Sequence, residues 1–293
     1  MSVSITTVSG ATLVLQFTAA AGSPSAIAAI NQIGNVSFSG DTVNGTYSAA
    51  GAVSVASGVS SATFTNASVI FSSAQNANFT VNGSSAEVFA AAGDTVNATG
   101  ADTLFGAASG LSSFMSTGAN SSIVGGAGNI AATASGANTT LIGGTASSNF
   151  TVAGAGSVAV AGPGPGTTNI TLTDTGGAEV ATNPLGNSGT LVATLSATGA
   201  DTVVGGSGNS SITGGGGDDV FAFVAGHGGG TETISGFTTS DTFAFSSDYG
   251  YSAAAPPPEH VVNGNDVITL TDGTEITTIT LVGIDYTIFT KGS

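Results

Sequence analysis

The chain has no cysteine, no tryptophan and no arginine, and Lys291 is its only lysine among 293 residues. Without cysteine there is no disulfide framework, no thiolate metal site and no cysteine nucleophile. Without arginine the usual clamp for phosphate and carboxylate groups is missing. Against that single base stand 17 acidic residues, giving a formal net charge of −16, so the chain cannot neutralise nucleic-acid phosphates or an anionic bilayer surface. Divalent cations are the partners its charge favours. No stretch approaches the roughly 18 consecutive apolar residues of a membrane span, and no membrane insertion is expected. The start, Met1-Ser2-Val3-Ser4-Ile5-Thr6-Thr7, has neither a basic n-region nor a long apolar h-region, so a cleaved signal is not expected either.

Catalytic motifs are also missing. His227 and His260 lie in no metal-binding spacing such as H-E-x-x-H, and no G-x-S-x-G elbow occurs. Glu259-His260, in a proline-rich loop, reads as a solvated turn, and the chain is expected not to be an enzyme. What the chain has in abundance is glycine, 46 residues of it, with 6% charged residues and a mean hydropathy of +0.38. It is too rich in Val, Ile, Leu and Phe, and too evenly patterned, to be disordered.

Three nine-residue units run end to end from Ser196 to Ala222. The last, Gly214-Gly215-Gly216-Gly217-Asp218-Asp219-Val220-Phe221-Ala222, fits G-G-x-G-x-D-x-U-x at every specified position. The middle unit keeps Gly205, Gly206, Gly208 and Ile212 but has Ser210 in the aspartate position; the first keeps Gly199, Asp201 and Val203. Glycine lets such a turn adopt positive φ and expose its carbonyls, aspartate supplies a hard anionic oxygen, and the last three residues form a short strand with one inward apolar side chain. Two units make one coil, so Asp201 and Asp219, 18 residues apart, stack on one edge. Stacked carboxylates repel unless a cation lies between them, and oxygen-only ligands select calcium. The candidate calcium-holding residues are Asp201, Asp219 and Asp218 with Gly199 and Gly217, and Asp102 at the head of a weaker upstream repeat.

These units resemble the RTX (repeats-in-toxin) family of bacterial proteins. The resemblance implies an all-β fold, a right-handed parallel β-solenoid of the β-roll type, and export by the type I secretion machinery through an uncleaved C-terminal signal. It also implies that the aromatic and β-branched strands of residues 231–293 form a C-terminal cap and secretion-signal region. The solenoid is expected over 93–230, after a β-rich N-terminal region, 1–92, whose one helix spans Ser23 to Ile33, capped by Ser23 and ended by Gly34. The upstream repeat is carried by Gly100, Gly118, Gly136 and Gly154, at 18-residue spacing. That phase predicts interior ladders of Phe105, Ile123 and Leu141 and of Phe114, Ala132 and Phe150. It also predicts a hydrogen-bonded amide ladder of Asn120 and Asn138 beneath Asp102. Pro163-Gly164-Pro165-Gly166 marks a bulge or protruding loop. In the D-T-[VL] triplets, Asp41 reads as a turn residue, while the role of Asp94 stays open.

Three function classes remain. A secreted, calcium-binding structural protein that assembles with copies of itself into a surface layer, fibre or biofilm matrix suits a sequence with so little charge. An RTX-type adhesin, or an ice- or carbohydrate-binding module, would use a row of hydroxyls such as Thr99, Thr117 and Ser135. An enzyme with an RTX tail comes last, for want of catalytic residues.

Overall fold

The computed structural model describes residues 2–6, 12–16, 45–47, 51–83, 85–177, 179–181, 189–252 and 254–289. The expected helix over Ser23 to Ile33, and Asp41, lie outside the described residues. Apart from an antiparallel pair at the N-terminus, Ser2–Thr6 with Thr12–Gln16, and antiparallel strands near the C-terminus, the described chain is a parallel β-solenoid in two compact units, Met1–Phe150 and Thr151–Ser293. Among the described residues no helix is long and apolar enough to cross a membrane.

In the first unit successive strands alternate between two parallel sheets. One holds Gly51–Val55, Ala67–Ser72, Glu87–Phe89, Thr103–Phe105, Ser122–Val124 and Thr140–Ile142; the other holds Gly45–Tyr47, Ser61–Phe64, Asn78–Val81, Thr95–Ala98, Leu111–Ser116 and Asn129–Ala134. Strands this short bury only one to three side chains each, so they are stable only when the coils above and below complete their hydrogen bonding. Alternation then sets the core, with Ser112, Phe114 and Ser116 inward and Leu111 and Met115 outward on one strand. The parallel coil is already under way at Gly45–Tyr47, upstream of the glycine phase visible from Gly93. Its first coils advance by 17 residues, as in Ser61 against Asn78 and Asn78 against Thr95, and so fall out of phase with the 18-residue repeat.

One interior ladder differs from the expected one. Leu104, Ile123 and Leu141 form the line, and Phe105 instead pairs with Val124 downstream and Phe89 upstream. The Phe71, Phe89 and Phe105 rings stack at 4.7 and 4.6 Å between centroids. Each such contact adds about 1 kcal/mol to the burial of the rings. The slip arises because the coil from Leu104 to Ile123 is one residue longer than the glycine repeat. Phe114 and Ala132 do pair as expected, and Phe150 is buried.

The second unit repeats the plan. Val158–Val160, Glu179–Ala181, Thr202–Val204, Val220–Phe223 and Thr242–Phe245 form one parallel sheet, and Thr167–Leu172, Thr190–Thr194, Asn209–Thr213, Thr231–Ser235 and Glu275–Val282 the other. Val180, Val203, Phe221 and Phe243 stack as one interior line. Pro163 to Gly166 form the bend between Val158–Val160 and Thr167–Leu172, where a residue lacking an N–H interrupts no ladder. Antiparallel strands Asn265–Asp272 and Glu259–Val262 extend the second sheet beyond Glu275–Val282.

The corners between strands are close-packed backbone on backbone. A Cβ at Gly136 would lie 2.1 Å from the Gly118 carbonyl oxygen, whereas one at Gly264, at φ +78°, would meet no atom within 4 Å. Both substitutions carry a local cost, but only the first forces coils apart. Gly136→Ala is expected to lower stability in thermal melts by about 3 kcal/mol or more and Gly264→Ala by about 1 kcal/mol. Equal melting of the two variants would contradict the stacked corner.

Candidate metal centre

A corner of this solenoid must bond the peptide groups that the strands leave unpaired, and the chain does so in two ways. The short corner reads Gly-x-Asp: Gly100-Ala101-Asp102, Gly199-Ala200-Asp201 and Gly217-Asp218-Asp219. The long corner has one more residue and ends in a hydroxyl: Gly118-Ala119-Asn120-Ser121, Gly136-Ala137-Asn138-Thr139 and Gly154-Ala155-Gly156-Ser157. The added residue is left-handed in each case, with φ of 59° at Asn120, 55° at Asn138 and 68° at Gly156. Asparagine and glycine tolerate that region, which explains their presence. The Asn120 and Asn138 side chains are exposed, and the Asn120 N–H donates to the Ala137 carbonyl. The two residues do sit on neighbouring coils, but they shape the backbone and form no amide ladder.

The two corners have opposite hydrogen-bonding polarity. In the long corner the buried Ser121 hydroxyl lies 2.9 Å from both the Gly100 and Gly118 carbonyls, and the Thr139 hydroxyl donates to Gly136 at 2.8 Å. In the short corner a buried carboxylate accepts N–H groups. Asp102 accepts from Ala86 at 2.8 Å and Gly100 at 3.1 Å, and Asp201 accepts from Ser196 at 2.8 Å. Asp219 accepts from Asp201 at 2.9 Å and from Gly215 at 3.3 Å. An ionised carboxylate has no proton to give, so an aspartate corner leaves its carbonyl oxygens for another partner.

The structure therefore brings Asp201 and Asp219 onto adjacent coils of one edge, joined through the Asp201 N–H. Asp174 joins them. It is buried, its Oδ1 has no partner, and burial together with the nearby Asp201 charge raises its pKa. Burial also raises the pKa of Asp219; its N–H bonds offset this in part, and the charges of Asp241 and Asp201 add smaller increments. Like-charge repulsion is thus secondary to desolvation at Asp219. Asp218 is exposed on the turn. Asp102, in the first unit, faces the hydroxyl corner of Ser121 on the next coil, so its carboxylate works as a turn cap. Asp94 settles in the same role, accepting from Ala77 and Ala91.

The donor set fits calcium. Gly215, Gly216 and Gly217 approach the carbonyls of Ser196, Ala197 and Gly199 so closely that a Cβ would lie 1.6, 2.4 and 1.9 Å from those oxygens. Only glycine leaves this carbonyl-lined cradle open. Among the described residues no three acidic or histidine side chains cluster tightly enough to hold a metal alone, so backbone carbonyls must complete any coordination shell. Carbonyls with a few carboxylates form a hard, oxygen-only set suited to calcium.

Sequence reasoning missed Asp174, because the coils around it are longer than the repeat, and it missed Glu232. Thr231–Ser235 pairs with Asn209–Thr213 so that Glu232 faces Ser210. The aspartate absent from the middle nonamer is thus answered one coil later by a glutamate, 22 residues on rather than 18. Gly228-Gly229-Gly230 before it was the available signal. Glu232 is fully buried, and burial lifts its pKa to about 7. Ser210 and the Gly206 N–H lie near enough to oppose that rise slightly, yet neither carboxylate oxygen completes a well-formed hydrogen bond.

Residues 196–228 match the RTX calcium-binding nonapeptide repeat, in four copies. Repeats of this kind bind calcium as structural ions. No curated protein matches the chain.

Because folded Glu232 holds its proton more tightly than the unfolded chain, its contribution is complete below pH 4.5 and is lost as pH rises through about 7. Urea unfolding of the calcium-free protein should show stability falling by about 3 kcal/mol across that window. Glu232→Gln should flatten the dependence. An unchanged pH profile in that variant would show that the glutamate is solvated.

Proposed function

We propose that this chain, a parallel β-solenoid carrying RTX calcium-binding nonapeptide repeats, is a secreted extracellular structural protein that assembles with copies of itself once calcium has ordered its aspartate corners. The observation that carries this reading is the sparsely charged outer face of the coils, on which no described residue is a lysine or arginine. In the second unit one outward line runs Thr171, Thr194, Thr213 and Ser235 on successive strands. In the first, Leu111 and Met115 project from one strand at 46% and 50% exposure. Soluble β-proteins guard such surfaces with lysine and other charges, and here no described residue is a lysine or arginine. Faces of this composition suit burial against neighbouring copies, in a surface layer, fibre or biofilm matrix.

Export through type I secretion machinery belongs to the same reading and rests on the RTX repeats. So does a non-enzymatic role, since the buried Asp94, Asp102, Asp201 and Asp219 are committed to N–H groups at corners. The adhesin or ice-binding alternative draws less support. The Thr99 and Thr117 hydroxyls turn back toward the Val81 and Ala98 carbonyls, at 3.4 and 3.5 Å, rather than presenting a free row.

Electron microscopy and light scattering across a calcium titration test the proposal. Ordered sheets or filaments should form with calcium and disperse on chelation. Asp219→Ala, which strips the partner from the Asp201 and Gly215 N–H groups, should shift assembly to higher calcium or abolish it. Persistent monomers at saturating calcium would contradict self-assembly.

A further inference from the structure

The second unit also contains a cavity of about 370 Å³ beside the calcium edge, which it meets only at Asp241. Phe237, Phe243, Phe289 and Tyr286 line it, with Thr238 and Asp241 among its polar groups. Its size falls within the range of small-molecule sites. The rings that line it meet at different angles: Phe237 and Phe243 are 5.3 Å apart at 27°, and Phe289 meets Phe243 at 5.8 Å and 61°.

One wall is fixed by the chain's own carboxylates. The N–H groups of Ile288 and Phe289 donate to Glu259 at 2.9 and 3.0 Å, and Ile288 also reaches Asp266 at 3.4 Å. That anchoring sets the wall before any ligand arrives, which reduces the ordering cost of binding. Asp241 is held equally firmly. One oxygen accepts from the Asp219 N–H at 3.0 Å, the other from the Thr238 N–H at 2.7 Å and its hydroxyl at 3.2 Å. All these donors are neutral, and with no lysine or arginine among the described residues no such side chain offsets the Asp241 charge.

Aromatic rings carry negative electrostatic potential on their faces, and beside them lies a carboxylate with no lysine or arginine partner among the described residues. A small metal ion would not exchange its hydration shell for phenyl rings. An alkylated ammonium, weakly hydrated and apolar outside, gains from both. We propose that this cavity binds a small organic cation, an alkylammonium or quaternary ammonium headgroup, between the aromatic side chains with Asp241 as its counter-charge. The residues that line the site lie outside residues 196–228, and Asp241 joins the two through the Asp219 N–H.

Calorimetric titration of the full chain, in saturating calcium, with choline and with its neutral isostere 3,3-dimethylbutan-1-ol tests this directly. Choline should bind saturably and at least about tenfold more tightly than the alcohol. Phe289→Leu and Tyr286→Leu should each weaken choline binding several-fold, with circular dichroism verifying the fold of each; the second variant stands if the first fails to fold. Absence of saturable choline binding would overturn the proposal. Equal binding of the two probes would do the same, as would choline affinity unchanged in a folded variant.

Discussion

The constraint on which this solenoid depends is the hydrogen bonding of its corners. Parallel strands hand their peptide groups to the coils above and below, but each corner leaves N–H and C=O groups that strands cannot reach. A buried unpaired group costs about 1–3 kcal/mol, and every coil repeats the problem. Ser121 and Thr139 donate to carbonyls, so their corners are complete without any ion. Asp201 and Asp219 accept N–H groups instead; the Ser196 carbonyl takes the Gly216 N–H and the Gly217 carbonyl the Ser240 hydroxyl, which leaves the Ala197 and Gly199 oxygens as the carbonyls a cation can use. We propose that the side chain chosen at each corner sets where the solenoid depends on calcium.

The same choice fixes coil length. A hydroxyl corner needs one left-handed residue, Asn120, Asn138 or Gly156, that an aspartate corner does without. Passing from one type to the other displaces the next strand by a residue, which in a β-strand exchanges inward and outward positions. That is why Leu104, and not Phe105, lies under Ile123. Constant glycine stacking, as in Gly118 against Gly100 and Gly217 against Gly199, holds the corners in line while strand register adjusts.

Much of this was legible in the sequence. The nonamers, the parallel solenoid and the pairing of Asp201 with Asp219 follow from glycine and aspartate spacing, because only glycine fits where backbone touches backbone. The phase of the hydrophobic ladder was not legible past Asp102. A one-residue insertion disguised as an Asn for Asp exchange leaves the glycine period intact. Asp174 and Glu232 were hidden because their coils exceed the repeat length, so a fixed period skips over them. The early coils from Gly45 were hidden for the converse reason, being one residue short. Burial, which a sequence does not display, then sets the electrostatics, raising the pKa values of Asp174, Asp219 and Glu232. Ionising these groups in the calcium-free fold works against stability, so at neutral pH the cation has the most to offset.

The central claim is that the stacked corners of Asp201 and Asp219 require calcium, whereas the hydroxyl corners and the Asp102 corner facing one of them do not. Amide hydrogen exchange resolved to single residues, with calcium and after chelation, tests it most directly. The account predicts that protection at Ser196, Asp201 and Gly215, whose N–H groups bond to Asp201 or Asp219, rises strongly with calcium. Ser122 and Thr140, which lie just beyond the hydroxyl corners and donate to backbone carbonyls, should exchange alike in both conditions. Protection that rises equally at both sets, or at neither, would contradict it.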